Sequence, residues 1–402
     1  MESKVLSCLV IAMEMRNIKM AAEEYFTVQV DLILLDGPLP YNLYINSAGD
    51  SGRVKFIRVF PRGDILLSDD LKELQRKYVQ IYLSDDERDD FVQSLVKSSS
   101  VAIEDKTKVV KDSAINYLDK VFDPEKEFST EVLEETIKGC RKNVENMVDL
   151  ITDEDLSLSG LQKLIGNLSY HDFYTFDHSV NVSMYTILIL KETRPESSKD
   201  DLTLAGLGGM LHDIGKVEIP LYIINKAGKL DDEEFAIIQS HPVRGKELIE
   251  TQKKELQGVD FETIRDVVFQ HHENYNGTGY PNKISGEDIN FYARIVAVAD
   301  FFDAVTTKRS YHTPLSLNDA IGIMENTVGK KLDPEIFHAL KATVSDIGTI
   351  EKSHIILPDD FDACQPHNKL PIKDYDPATQ DHNLFEKNKK FGKVKVSKKK
   401  GS

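Results

Sequence analysis

Five separate segments of this 402-residue sequence place histidine or aspartate where a helical pattern would turn them inward. They are His178, the pair His212-Asp213, His241, the pair His271-His272, and Asp300. Imidazole nitrogens and carboxylate oxygens together suit divalent metals of borderline hardness such as Fe, Mn, Co or Ni. Seven such donors without a cysteine suit a pair of these metals, whereas structural zinc more often takes thiolate. Each residue alone has a plainer reading. A single histidine on an apolar face is usually a satisfied core residue, and an aspartate near a helix end is usually a cap. Five segments aiming inward together favour metal binding.

The elements that must position them read as helices. Phe261, Ile264 and Val268 form one apolar face. His271 lies four residues after Val267 and His272 four after Val268, so both continue that face. Asp300 lies four after Val296, among Ala293, Ala297 and Ala304. A carboxylate buried there needs a cation. His178 shares a stripe with Tyr174, Val182, Tyr185 and Ile189. A helix over Leu202–Leu211 runs into His212-Asp213, and adjacent helical residues about 100° apart can grip one metal from the same side. His241 precedes Pro242, where one helix must stop and another can start.

The fold class expected is a small α+β domain followed by an all-α catalytic domain. Residues 26–34 alternate, with Val28, Val30 and Leu32 on one face, as a half-buried strand does. Asn42–Ile45, Arg53–Phe60 and Tyr78–Leu83 read as further strands, with helices near Ser68 and over Asp85–Lys97. Residues 1–98 form a sensor or interaction module on this reading. Residues 99–158 read as a helical linker. In it Val110, Ala114, Tyr117 and Val121, then Leu133, Ile137, Cys140, Val144 and Met147, step by threes and fours. Such seams must be buried against a helix of this chain or of a second subunit, which makes a homodimer one arrangement to expect. Residues 159–345 hold eight of the eleven histidines and form the all-α part. Residues 346–402 form a loop-rich extension.

The formal net charge is −17, from 67 Asp+Glu against 50 Lys+Arg. Residues 387–402 carry eight lysines and no acid, which leaves −25 on residues 1–386. So acidic a body excludes a general nucleic-acid or anionic-membrane binder that relies on a broad basic face. Cys8, Cys140 and Cys364 form no metal knuckle or disulfide framework, as expected in a reducing cytoplasm. No run is as long as a transmembrane helix. The apolar stretch Val5–Met13 is flanked by Glu2, Glu14 and Arg16, which reads against a signal peptide, and Met13, Met15 and Met20 offer alternative starts.

His212-Asp213-Ile214-Gly215-Lys216, then His271-His272-Glu273, then Gly277-Thr278-Gly279-Tyr280-Pro281 resemble the HD-GYP family. Those proteins are HD-superfamily metal-dependent phosphohydrolases that hydrolyse cyclic di-GMP. The resemblance covers roughly residues 165–345, including His178-Ser179-Val180-Asn181-Val182 and Ala299-Asp300-Phe301-Phe302-Asp303. It implies an HD-type helical bundle around two or three metals, Fe or Mn foremost. The implied ligands are His178, His212, Asp213, His241, His271, His272 and Asp300, with Asp213 as the bridge. It also places the family's lysine at Lys216, and its guanine- and phosphate-binding groups at Gly279, Tyr280 and Arg309. Family members with a third metal carry a glutamate where this chain has Tyr174, so two metals are expected. Asn276, Ser310 and His312 also depart from the pattern.

The chemistry implied is phosphodiester hydrolysis. Two metals acidify a water and clamp the attacked phosphate. Lys216 would neutralise the non-bridging oxygens, and Asp303 would orient a ligand or activate water. The expected product is linear pGpG, with GMP after a second cut. Three other readings stand beside it: a cyclic di-GMP receptor or scaffold that binds a diguanylate cyclase, an HD phosphohydrolase of another nucleotide, and a chain whose N-terminal domain does the main work.

Overall fold

The computed structural model describes residues 24–35, 37–47, 55–78, 80–122, 128–153, 175–224, 226, 230–252, 259–306 and 317–345. The chain divides into two compact units, residues 1–113 and 114–402.

In the first unit, strands β1 (Tyr25–Val28), β2 (Leu43–Asn46), β3 (Phe56–Phe60) and β4 (Ile81–Ser84) form one antiparallel sheet in the order β1-β4-β2-β3. Alternation sorts its faces. Leu43, Ile45, Ile81 and Leu83 are buried. On the opposite face the rings of Tyr25, Tyr44, Phe56 and Tyr82 pack on one another at centroid distances of 4.0–5.0 Å. Helices α1 (Ser68–Lys77) and α2 (Arg88–Lys97) bury Leu71, and Phe91, Val92, Leu95 and Val96, respectively.

The alternation over 26–34 does not make one long strand. β1 ends at Val28, and residues 30–32 form a 3-10 turn. Val28 pairs with Ile81, the first residue of β4, so the ladder has no partner to offer beyond it. The Leu32 and Ile33 amides instead donate to the Gln29 and Val30 carbonyls.

Helix α3 (Ile103–Phe122) crosses the unit boundary and α4 (Thr130–Thr152) follows. Leu133, Ile137, Cys140, Val144 and Met147 are all buried, as their spacing predicts. Their partners belong to this chain: α4 packs on α5 (Thr175–Thr193) and α6 (Lys199–Leu211). α5 is the central helix, buried nearly all round from Val180 to Leu190. α6 starts on a capping box, in which Ser198 Oγ accepts from the Asp201 amide and Asp201 accepts from the Ser198 amide.

The remaining elements are α7 (Leu221–Ile224), α8 (Asp232–Ile238), α9 (His241–Thr251), α10 (Phe261–Gln270), α11 (Phe291–Thr306), α12 (Leu317–Glu325) and α13 (Pro334–Ser345). α5 packs on α6, α11 and α13; α10 packs on α6, α9 and α11. Where these helices meet, the five predicted segments converge. Among the described residues no helix is long and apolar enough to cross a membrane.

Candidate metal centre

His178 comes from the first turn of α5 and Asp300 from the interior of α11. The other five ligand candidates sit at helix ends. α6 stops at Leu211, and His212 is its C-cap. Asp213 opens a 3-10 turn over Ile214–Glu218, so the pair does not lie on continuous helix. Close packing imposes the turn. A Cβ on Gly215 would stand 2.0 Å from the His241 carbonyl oxygen, so only glycine lets the chain after Asp213 press against α9. His241 is the first residue of α9, with Pro242 following in the first turn. α10 stops at Gln270, and the His271 amide still donates to the Val267 carbonyl.

The seven side chains form two groups, each with donor atoms within 4.8 Å of one another. One is Asp213, His241, His271 and His272; the other is His178, His212 and Asp300. Asp213 reaches both. Its Oδ1 lies 3.2 Å from His241 Nε2, and its Oδ2 lies 3.3 Å from His212 Nε2 and 3.8 Å from His178 Nε2. All seven are buried except His272, which is partly exposed.

The hydrogen bonds select a tautomer. Nδ1 of His212, His241 and His271 meets the backbone carbonyl of Gly209, Ile238 and Val268 at 2.7, 2.7 and 2.9 Å. A carbonyl only accepts, so each Nδ1 carries the hydrogen and each Nε2 presents a lone pair. His178 turns its Nδ1 to Asp303 Oδ2 at 2.8 Å, and its Nε2 lies 3.2 Å from Asp300 Oδ1.

These atoms fit a divalent cation. His241 Nε2 and His271 Nε2 face each other at 3.2 Å, two lone pairs with no hydrogen between them. His212 Nε2 and Asp213 Oδ1 are sealed from solvent without a hydrogen-bond partner. Buried acceptors in such a cluster are costly unless a cation satisfies them. Charge agrees. Burial, and for His271 the neighbouring histidines, hold His241 and His271 well below the usual range, so both rings are neutral, the form in which an imidazole can bind a metal. Burial opposes ionisation of Asp213 and Asp300, but Lys216 and His212 beside the first, and His178 beside the second, hold both well down. Burial likewise acts to lower His178, but Asp300 and Asp303 outweigh it and push it up to about 9, so in the metal-free centre this ring is a cation that must lose a proton before its Nε2 can bind a metal.

These shifts predict a stability profile for the metal-free protein. The His178 contribution is full below the unfolded value near 6.5 and is lost as pH rises through about 9. His241 and His271 act oppositely: below 6.5 the unfolded chain takes up protons that the folded chain refuses. Each costs about 1.4 kcal/mol per pH unit there. Urea unfolding of chelator-treated protein should show greatest stability near pH 6.5. A profile without a maximum there would contradict this arrangement.

Lys216 Nζ donates to Asp213 Oδ2 at 2.5 Å, which brings its charge to the centre. Asp303 is fully buried and stands behind a ligand candidate: its Oδ1 accepts from Asn181 Nδ2 while its Oδ2 meets His178 Nδ1, each at 2.8 Å. Its geometry is that of an orienting group. The Tyr280 ring stacks on the His272 ring at 4.9 Å and 24°, beside the least buried ligand. Gly279 is buried against backbone, where a Cβ would stand 2.2 Å from the Asn274 nitrogen. Arg309 and Tyr174 lie outside the described residues.

Two residues here had no role on sequence grounds. Asn181 lies three residues after His178 on α5, and that i, i+3 spacing was the available signal. Glu273 directly follows the histidine pair and is buried.

Residues 161–336 match the HD domain family. This part of the chain resembles the HD-GYP family of HD domains. A 3′3′-cGAMP-specific phosphodiesterase of Vibrio cholerae is 32% identical over 188 residues, covering 47% of this chain and 37% of that protein. A cyclic di-GMP phosphodiesterase of Pseudomonas aeruginosa is 34% identical over 199 residues, covering 50% of this chain and 46% of that protein. The chain thus spans less than half the length of these two relatives. A solved HDG"Y"P protein from Bdellovibrio bacteriovorus is 22% identical with a TM-score of 0.48, covering 80% of this chain and 99% of that one.

Proposed function

We propose that this chain is a metal-dependent phosphodiesterase of cyclic dinucleotides, with cyclic di-GMP as its substrate and linear pGpG as its main product. The observation that carries the reading is Asp213, one carboxylate spanning two clusters of buried donors. The relatives' names support the substrate class, and because some act on 3′3′-cGAMP, that molecule is the competing substrate.

His178, His212 and Asp300 would hold one metal; His241, His271 and His272 would hold the other; Asp213 would serve both. A bound pair of Fe or Mn ions would supply Lewis acidity and an acidified water. The chain's own groups do the rest. Backbone carbonyls keep three imidazoles in the Nδ1–H tautomer. Asp303 orients His178. Lys216 stands against Asp213, where its ammonium can meet the non-bridging oxygens of a phosphodiester and stabilise the charge that develops there. Tyr280 offers a ring at the partly exposed edge of the site, suited to a guanine face. Arg309 adds a planar fork suited to phosphate or the guanine edge. The small cysteine complement suits a reducing cytoplasm.

Purified protein loaded anaerobically with Fe(II) or Mn(II) should convert cyclic di-GMP to pGpG, followed by chromatography, with 3′3′-cGAMP run in parallel. No turnover of either substrate with either metal would sink the proposal. Tight binding without turnover would instead favour a receptor.

A further inference from the structure

The segment after the histidine pair folds back on itself. The Tyr280 amide donates to the His272 carbonyl at 3.2 Å, and the Gly286 amide donates to the Tyr275 carbonyl at 2.8 Å. Inside this loop lies Glu273, only 3% exposed. Its Oε1 accepts from the Asn282 amide at 2.6 Å, and the Lys283 and Ile284 amides lie close to the same carboxylate. Its Oε2 is sealed from solvent with no hydrogen-bond partner.

A buried carboxylate is expensive, and the Asn282 hydrogen bond, with two further amides close by, offsets part of that cost. It therefore ties the far side of the loop to the residue next to His272. Between its two attachment points lie Gly279, pressed on the 272–274 backbone, and Tyr280, stacked on His272.

We infer that Glu273 is a positioning residue: its carboxylate holds the Asn282 amide, and with it the segment 282–284, and so holds the Tyr280 ring over the open edge of the metal centre. Glu273 donates nothing to the reacting phosphate. It acts through the loop, on how a large, base-bearing substrate is seated. This rests on the proposed phosphodiesterase reading, and it makes a distinction that reading does not. A small phosphodiester such as bis(4-nitrophenyl) phosphate needs the metals and Lys216 but little of the rim. A cyclic dinucleotide needs both.

The test compares Glu273→Gln, which keeps an acceptor but loses the charge, with Glu273→Ala, which loses both, in the full metal-loaded chain. Hydrogen exchange read by mass spectrometry should show the 282–284 amides opening about tenfold faster in Glu273→Gln and faster still in Glu273→Ala. The kcat/KM for cyclic di-GMP should fall by about tenfold in Glu273→Gln, carried mostly by KM, and should fall several-fold less for bis(4-nitrophenyl) phosphate. Metal content should match wild type. Equal losses on the two substrates, or unchanged exchange at 282–284, would overturn the inference. If wild type hydrolyses no cyclic dinucleotide, the functional reading falls, and the exchange experiment still decides whether Glu273 holds the loop.

Discussion

Asp213→Ala is expected to lower turnover of a cyclic dinucleotide by at least about a thousandfold and to strip metal from the protein. Asp213 lies within 4 Å of ligand nitrogens in both groups, with one oxygen beside His241 and the other beside His212 and His178. Removing it takes a ligand from each group at once. It also leaves Lys216 without its carboxylate partner at the centre. Asp213→Asn should fall short of that loss, since the amide keeps one oxygen but not the charge. Elemental analysis alongside steady-state kinetics separates metal loss from a pure rate defect. Activity within tenfold of wild type in the alanine variant would remove Asp213 from the role of bridge.

The second large effect belongs to a residue outside the ligand set. Asp303 must accept on both oxygens, from His178 Nδ1 and from Asn181 Nδ2. Asparagine has one acceptor, so in Asp303→Asn one partner faces an NH2 group. Metal affinity or activity should fall about 10- to 100-fold, the usual cost of losing a carboxylate behind a ligating imidazole. A competition titration against a chelating dye reads the affinity, and circular dichroism checks that the helices persist. Affinity and rate both within twofold of wild type would reduce Asp303 to packing.

The inward placing of these histidines and aspartates was legible because helical periodicity is a local signal. His178, His271 and Asp300 each continue an apolar face at steps of three or four, and each is buried. His241 was readable from Pro242 for the same reason. What failed was whatever depended on a partner far along the chain. Alternation over 26–34 says nothing about where β4 begins, and that is what ends β1 at Val28. His212-Asp213 left the helix because Gly215 must press on α9, a contact no window around residue 213 contains. Asp303 reads equally well as a cap or as a water activator until the ring 125 residues earlier is in place beside it. Glu273 is one acid among many until the Asn282 amide, nine residues on, closes over it.

One regularity in the centre bears on how it could assemble. The carbonyls that meet His212, His241 and His271 each lie three residues earlier, on Gly209, Ile238 and Val268, within the last turn of a helix. Those are carbonyls that a helix end leaves without an amide of its own. Each helix terminus therefore makes its own ligand as it forms, with the tautomer chosen and the ring anchored before any neighbour arrives. On this account the centre is a set of prefabricated parts brought to one place by packing. Metals could then be exchanged or withdrawn while each imidazole keeps its aim.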